Sequence, residues 1–421
     1  IHSCVACREW SERGMLSEAE AASAGGPSPL LATGTRSGRK QKSRGGAGAG
    51  DEVECDPASS PIDVRKMITF IVASYLLFMT AFIVPIACVS TVVLVFPFIF
   101  ISMPLFLWLE NGLCRFVNDH WVASSVFCGL QVVEYGEEID KLSEKRTLFL
   151  ANHLGLIDHF VLMNALHNKG TVSARWMWVI YNIWKFTPLG VMWTSHGNFF
   201  VNGGARQREL LLSKFRSHLR DFFWRFDFRW VVMYPEGSRL FMIRESGAKF
   251  AEKNGLSPLR HCVYPRTGAA HAVMEVAAPQ QADETLARCG EAGPVEFIVD
   301  ATIGYPKGRV SDMGSYLMGE WPLGDNRICV HYSVQRVRPE WHEEEKLKEF
   351  LYERYQKKDE LLDGLYRTGQ FPGGPQRPVT VSPWRVLGSQ VFWLALYYAH
   401  YLLWLGPLCS FLFQYCTSLF F

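Results

Sequence analysis

The chain has 421 residues, with 43 Lys and Arg against 41 Asp and Glu, 48% hydrophobic and 14% aromatic residues. That balance excludes a disordered acidic tail and a polycation, so nucleic acid is not an expected partner. Charge is nevertheless segregated: no Asp, Glu, Lys or Arg occurs in the 43 residues from Met67 to Leu109 or in the 36 from Val386 to Phe421.

Residues 1–60 hold nine Gly, nine Ala and nine Ser. Such a stretch has too little apolar surface to offset ordering entropy and is expected to be a disordered low-complexity tail. Cys4 and Cys7 form a lone C-x-x-C there, with no second pair to complete a zinc or redox motif. The eleven cysteines follow no spaced framework, so no disulfide scaffold is implied. Arg36, Arg39, Lys40, Lys42, Arg44, Arg65 and Lys66 precede the first apolar stretch, an enrichment that favours a cytoplasmic face.

Residues 67–109 read as a membrane segment of one or two spans, each needing about 20 apolar residues, with Pro85 the expected divide. The segment starts beyond residue 60 and far exceeds the roughly 7 to 15 apolar residues of a cleaved signal. If it is a hairpin, the domain that follows is cytoplasmic too. Residues 111–384 are expected to form that domain, an α/β fold with a mixed sheet flanked by helices. Apolar, β-branched and aromatic runs predict strands at 147–150, 230–234, 262–264, 297–303 and 329–337. Helices are expected at 157–166, 206–223, 245–253 and 343–366. Residues 386–421 read as a C-terminal membrane segment interrupted at Gly406-Pro407, for three spans in all. Trp176, Trp178, Trp184 and Trp193 are expected to pack the core or to lie at the membrane interface, where a bound acyl chain is an alternative.

Two segments carry chemistry. Thr147-Leu-Phe-Leu-Ala-Asn-His-Leu-Gly-Leu-Ile-Asp is a buried strand running into His153, with Asp158 five positions later. Ligands of open α/β sheets collect beyond the carboxyl ends of strands, and a carboxylate on one ring nitrogen fixes the tautomer of a general base. The alternative on spacing alone is that His153 caps a helix while Asp158 lies on a solvated face. Trp230-Val-Val-Met-Tyr-Pro-Glu-Gly-Ser-Arg is a second strand ending in a turn, where Arg239 offers a fork of donors for phosphate and Gly237 lets backbone approach an anion. Here the alternative is a surface Glu–Arg ion pair. His159, His167 and His196 lack metal-ligand spacing, so no metal is expected, and no Gly-x-Ser-x-Gly elbow supports a serine hydrolase.

Together the segments resemble the glycerolipid acyltransferase superfamily, whose members carry Asn-His, four residues and Asp, then a Phe-Pro-Glu-Gly-x-Arg turn. Asp158 has that spacing, and Glu236 lies 83 residues after His153 with Tyr234 in place of the Phe. Gly197-Asn-Phe-Phe-Val, Val263-Tyr-Pro-Arg-Thr-Gly268 and Asp300-Ala-Thr-Ile-Gly-Tyr-Pro306 are similar to further blocks of the superfamily. Within it, His196-Gly-Asn-Phe-Phe200, the 349–362 segment and Tyr366-Arg-Thr-Gly-Gln-Phe-Pro372 resemble the group that acylates lysophosphatidylglycerol with acyl-CoA.

The resemblance implies that His153 deprotonates a lysophospholipid hydroxyl, oriented by Asp158, and that no cofactor is needed beyond acyl-CoA as co-substrate. It implies substrate contacts from Glu236, Gly237, Ser238 and Arg239, with Asn152 shaping the site. Relatives place an Arg directly after the second block; here Asn202-Gly203-Gly204 intervenes, so Arg206 or Arg208 either folds over the headgroup or decorates a helix start. The implied setting is the endoplasmic-reticulum membrane, multi-pass, with the catalytic domain facing the cytosol. Acceptors such as lysophosphatidylethanolamine, lysocardiolipin, lysophosphatidate or monoacylglycerol would use the same base. A lipid-binding scaffold without activity is the alternative of another class.

Overall fold

The computed structural model describes residues 64–202, 207–278 and 293–420. The expected tail at 1–60 and Arg206 lie outside the described residues. An eight-stranded mixed sheet has the order β4-β3-β5-β2-β6-β7-β1-β8. In chain order the strands are β1 (Gln131–Gly136), β2 (Thr147–Ala151), β3 (Trp176–Tyr181), β4 (Phe199–Val201), β5 (Trp230–Met233), β6 (Phe297–Gly304), β7 (Arg327–Arg336) and β8 (Arg377–Pro378). Strands β4, β3, β5, β2 and β6 run parallel; β7 is antiparallel to β6, and β1 is parallel to β7.

Alternation sends successive side chains of β2 to opposite faces. Phe149 and Ala151 join Val161, Leu162, Trp176 and Trp178 on one face, while Leu148 and Leu150 join Met177, Phe215, Val273 and Met274 on the other. Both faces are covered, which is why β2 and β5 read as unbroken apolar runs. Helices Asp158–Ala165, Arg208–His218, Leu240–Lys253 and Glu344–Thr368 fall near their expected places. The expected strand at 262–264 is buried but joins no ladder: the Cys262 thiol turns to the Tyr355 carbonyl, and Tyr264 donates to the Ser257 carbonyl at 3.1 Å.

Among the described residues, two helices are long and apolar enough to cross a membrane, Lys66–Ile101 and Pro383–Ser418, where three shorter spans were expected. Neither proline divides its segment. A π-helical turn, Met79–Ile83 or Tyr401–Leu405, ends just before Val84-Pro85 and Gly406-Pro407 respectively. Proline lacks a donor and crowds the carbonyl four residues back, and a wider turn absorbs both defects without ending the helix. The hairpin on which a cytosolic middle domain was conditional is therefore not formed at Pro85. Helix Met103–Phe127 runs through the expected boundary near residue 110 and packs against both apolar helices. Phe116 stacks on Phe392 at 3.9 Å, and Arg385 forks onto Asp119 at 2.9 and 3.2 Å.

Candidate active site

His153 lies just past the carboxyl end of β2, and Asp158 opens the helix Asp158–Ala165. Asp158 is wholly buried, and both its oxygens are used. Oδ2 accepts from His153 Nδ1 at 2.8 Å and from the Leu154 and Gly155 amides at 2.6 and 2.9 Å. Oδ1 accepts from the Tyr305 hydroxyl at 2.5 Å. Two amides, a hydroxyl and the His153 ring nitrogen thus converge on this one side chain. With Nδ1–H held, the lone pair of a neutral His153 sits on Nε2, the atom free to take a proton. The side chain is 15% exposed, enough to meet a substrate without being flooded by water. Asp158 thus faces the interior rather than solvent, which removes the helix-cap alternative.

The turn after β5 is fastened to the same residue. The His153 amide donates to Glu236 Oε1 at 3.3 Å, and the Leu240 amide donates to the His153 carbonyl at 2.8 Å. Segments 83 residues apart are knitted together on one backbone unit, and Tyr234 stacks on the His153 ring at 4.2 Å. Glu236 is buried, and its Oε2 has no partner among the described residues. Burial pushes the Glu236 carboxyl well above the ordinary carboxylate range, against the opposing pull of Lys358. An acid in that state has a proton to offer and a lone pair to receive a hydroxyl.

Gly237 has φ +79°, a left-handed conformation that costs glycine nothing. A Cβ there would lie 3.3 Å from the Arg266 side chain, so the guanidinium of Arg266 crosses the turn. The Arg266 amide donates to the Pro235 carbonyl at 2.8 Å. Arg239 makes no ion pair among the described residues and lies 5.2 Å over the Phe241 ring. Its charge is open to a ligand, which the surface Glu–Arg pair alternative would not allow.

Asn152 is fully buried, donating to the Ile303 carbonyl at 2.9 Å and accepting from the Ile303 amide at 2.7 Å. It pins β2 to β6 at the residue next to His153. The Ser238 hydroxyl turns to the Met242 sulfur at 3.6 Å, a weak bond that holds it in the helix start. Arg208 pairs with Glu344 at 3.4 Å, so it decorates an exposed helix start. Tyr305 and Arg266 were not singled out from sequence; each lies in a segment recognised only as a block, and proximity to the site comes from the sheet. Of the other histidines, His196 bridges Glu110 at 2.7 Å and the Trp176 carbonyl at 2.9 Å, and His167 lies 3.0 Å from Asp119.

The Acyltransferase family matches residues 132–282, and the Acyltransferase C-terminus family matches 323–393. A Caenorhabditis elegans protein provisionally named as a 1-acyl-sn-glycerol-3-phosphate acyltransferase is 55% identical over 348 residues, 82% of this chain and 89% of its own length. The chain belongs to the glycerolipid acyltransferase superfamily. Mouse acyl-CoA:lysophosphatidylglycerol acyltransferase 1 is 31% identical to this acyltransferase over 63% of its chain and 73% of the mouse protein. The crystal structure of the 1-acyl-sn-glycerophosphate acyltransferase of Thermotoga maritima aligns with 70% of the acyltransferase chain and 97% of its own, at 13% identity and a TM-score of 0.38. That likeness is too distant to add to the sequence matches.

His159 adjoins this site, 5.2 Å from the rings of Trp178 and Tyr234. Burial, then the neighbouring His153, lowers its pKa to about 4. A histidine held neutral in the folded state stabilises the fold above its ordinary titration near 6.5, and that contribution is lost as pH falls toward 4. Thermal denaturation at stepped pH is expected to show His159→Gln losing less stability than the wild type across that window.

Proposed function

We propose that this acyltransferase uses acyl-CoA to esterify a hydroxyl of a lysophospholipid, with lysophosphatidylglycerol or lysophosphatidylethanolamine as acceptor. The observation that carries the reading is the fixed His153–Asp158 pair, on a residue whose backbone amide is bonded to the Glu236 side chain and whose backbone carbonyl is bonded to the Leu240 amide. In this mechanism Nε2 takes the acceptor's hydroxyl proton as its oxygen attacks the thioester carbonyl. Collapse of the adduct breaks the C–S bond, and the departing thiolate recovers the proton from the imidazolium, so the base is regenerated. No acyl-enzyme is required, because the acceptor is itself the nucleophile. Such a positioned base commonly supplies about 10² to 10⁴ in rate, with proximity supplying more.

Glu236 fits a glycerol hydroxyl through its unpartnered oxygen, and Arg239 and Arg266 fit the phosphate of the headgroup. Arg239→Ala is expected to raise the acceptor KM about ten-fold or more, the worth of one charge-assisted hydrogen bond, with little change in acyl-CoA KM. Steady-state kinetics with each substrate varied in turn reads this, and an unchanged acceptor KM removes Arg239 from the phosphate site.

The relatives named for lysophosphatidylglycerol and the two long apolar helices support a lipid acceptor met at a membrane. Residence in the endoplasmic-reticulum membrane, with both apolar helices in the bilayer, is part of the same proposal and is read by fractionation of the tagged full chain. The acceptor is tested by offering the purified protein a panel of lysolipids and acyl-CoAs and identifying products by mass spectrometry. Product from lysophosphatidylglycerol or lysophosphatidylethanolamine is expected; product from lysophosphatidate alone would reassign the acceptor, and none from any pair would leave only a lipid-binding role.

A further inference from the structure

From Trp176 to Ala205 the only Asp, Glu, Lys or Arg is Lys185. Within this run, the chain leaves the carboxyl end of β3 at Tyr181, makes a tight turn over Asn182–Phe186 and returns as the helix Pro188–His196. The turn exposes its apolar side chains: Tyr181 is 56%, Ile183 65%, Trp184 45% and Phe186 74% accessible. Exposed apolar groups in such a contiguous cluster mark an interaction surface.

The turn is firmly built. The Thr187 hydroxyl accepts from the Gly190 amide at 3.1 Å and donates to the Trp184 carbonyl at 2.7 Å. A Cβ on Gly190 would lie 2.3 Å from the Lys185 carbonyl oxygen, so glycine there lets the helix close back onto the turn. Fixing four large apolar side chains outward on a rigid turn costs hydration free energy unless something apolar covers them.

The neighbouring element says what covers them. Leu189 and Met192 of the returning helix pack with Met79, Ile83, Val84, Ala87 and Cys88, residues in the middle of the 36-residue apolar helix Lys66–Ile101. The outer surface of that helix is itself exposed and apolar, with Phe78 54% and Phe82 53% accessible. If the helix occupies the bilayer, whatever packs against its middle lies at hydrocarbon depth. Tyr181 and Trp184 match the amphipathic rings that anchor at membrane interfaces, and Lys185 has a stem long enough to carry its charge back to the headgroups.

We propose that the segment Tyr181–Ser195 is embedded in the bilayer beside the first apolar helix, with Ile183, Trp184 and Phe186 facing acyl chains. The segment stands at the same end of the sheet as His153. Strand β3 is separated from β2 only by β5, so by strand spacing its end is about 10 Å to the side of the catalytic histidine. The aromatic pairs Trp178–His159, His159–Tyr234 and Tyr234–His153 fill that interval, with ring centroids 5.2, 5.2 and 4.2 Å apart. The embedded turn thereby holds one side of the active-site mouth against the lipid phase, where an amphiphilic acceptor enters without first dissolving in water.

The inference rests on the membrane placement of Lys66–Ile101 but not on which acceptor is acylated. It is tested on the full chain reconstituted in phosphatidylcholine–phosphatidylglycerol nanodiscs, with a benzophenone amino acid placed singly at position 186, 82 or 346. Irradiation followed by mass spectrometry is expected to give lipid adducts at 186 and 82 and none at 346, which lies on a charged helix. Adducts at 82 without any at 186 overturn the proposal while leaving the spanning helix intact. Absence at both overturns the spanning reading as well, and a cross-link from 186 to a second copy of the chain shows a protein interface instead. In parallel, Phe186→Asp, at a site outside the core, is expected to raise the KM for vesicle-presented acceptor roughly ten-fold or more. Its kcat with a monomeric short-chain acceptor should stay within two-fold, and an unchanged vesicle KM counts against lipid contact.

Discussion

His153→Ala is expected to lower the rate of acyl transfer by about 10² to 10⁴-fold while the purified protein stays folded. The side chain makes one hydrogen bond, to Asp158, and stacks on Tyr234; the bonds that knit the site together use its backbone amide and carbonyl, which alanine retains. The Leu154 and Gly155 amides and the Tyr305 hydroxyl continue to satisfy Asp158 after the substitution. The loss should therefore fall on kcat, with the acceptor KM changing little, because Glu236, Arg239 and Arg266 stand on separate elements. Mass-spectrometric product assay alongside thermal denaturation in detergent checks both halves. Turnover near the wild-type rate in a folded variant would exclude His153 as the base.

What the sequence discloses depends on whether a residue's partner is near it in the chain. The His153–Asp158 spacing is legible because both lie on one strand-turn-helix passage, and β2 and β5 are legible because both their faces are covered. Strand β1 is hidden by Glu134, a buried acid in an otherwise apolar run; its charge is matched by Lys169 at 2.9 Å and by the Tyr332 hydroxyl at 3.0 Å. The structural use of Asn152 depends on Ile303, and the hold on Asp158 depends on Tyr305, each some 150 residues away and brought near only by the β2–β6 pairing. The prolines mislead for a related reason. Residue identity reveals the missing donor at Pro85 and Pro407, but not that a π-helical turn just before each proline lets the helix continue past it.

Asp158→Asn separates the charge of this carboxylate from its geometry. With its carbonyl oxygen in the place of Oδ2, asparagine still accepts from His153 Nδ1 and from the Leu154 and Gly155 amides. Its amide nitrogen then meets the Tyr305 hydroxyl, which can rotate to accept. Ring orientation and tautomer persist, and what disappears is the negative charge that stabilises the imidazolium formed as the acceptor loses its proton. Removing one preorganised electrostatic contact of this kind typically costs about 10² to 10³ in kcat, and that is the loss expected here, with the folding midpoint close to wild type. Asp158→Ala, by contrast, leaves two buried amides and a tyrosine hydroxyl without an acceptor, each worth roughly 1 to 3 kcal/mol, so it should lose stability together with activity. Steady-state kinetics and thermal denaturation on the two variants distinguish the roles. Equal losses of kcat with equal folding would mean that the carboxylate acts through charge alone, and an active Asn variant would mean that orientation alone suffices.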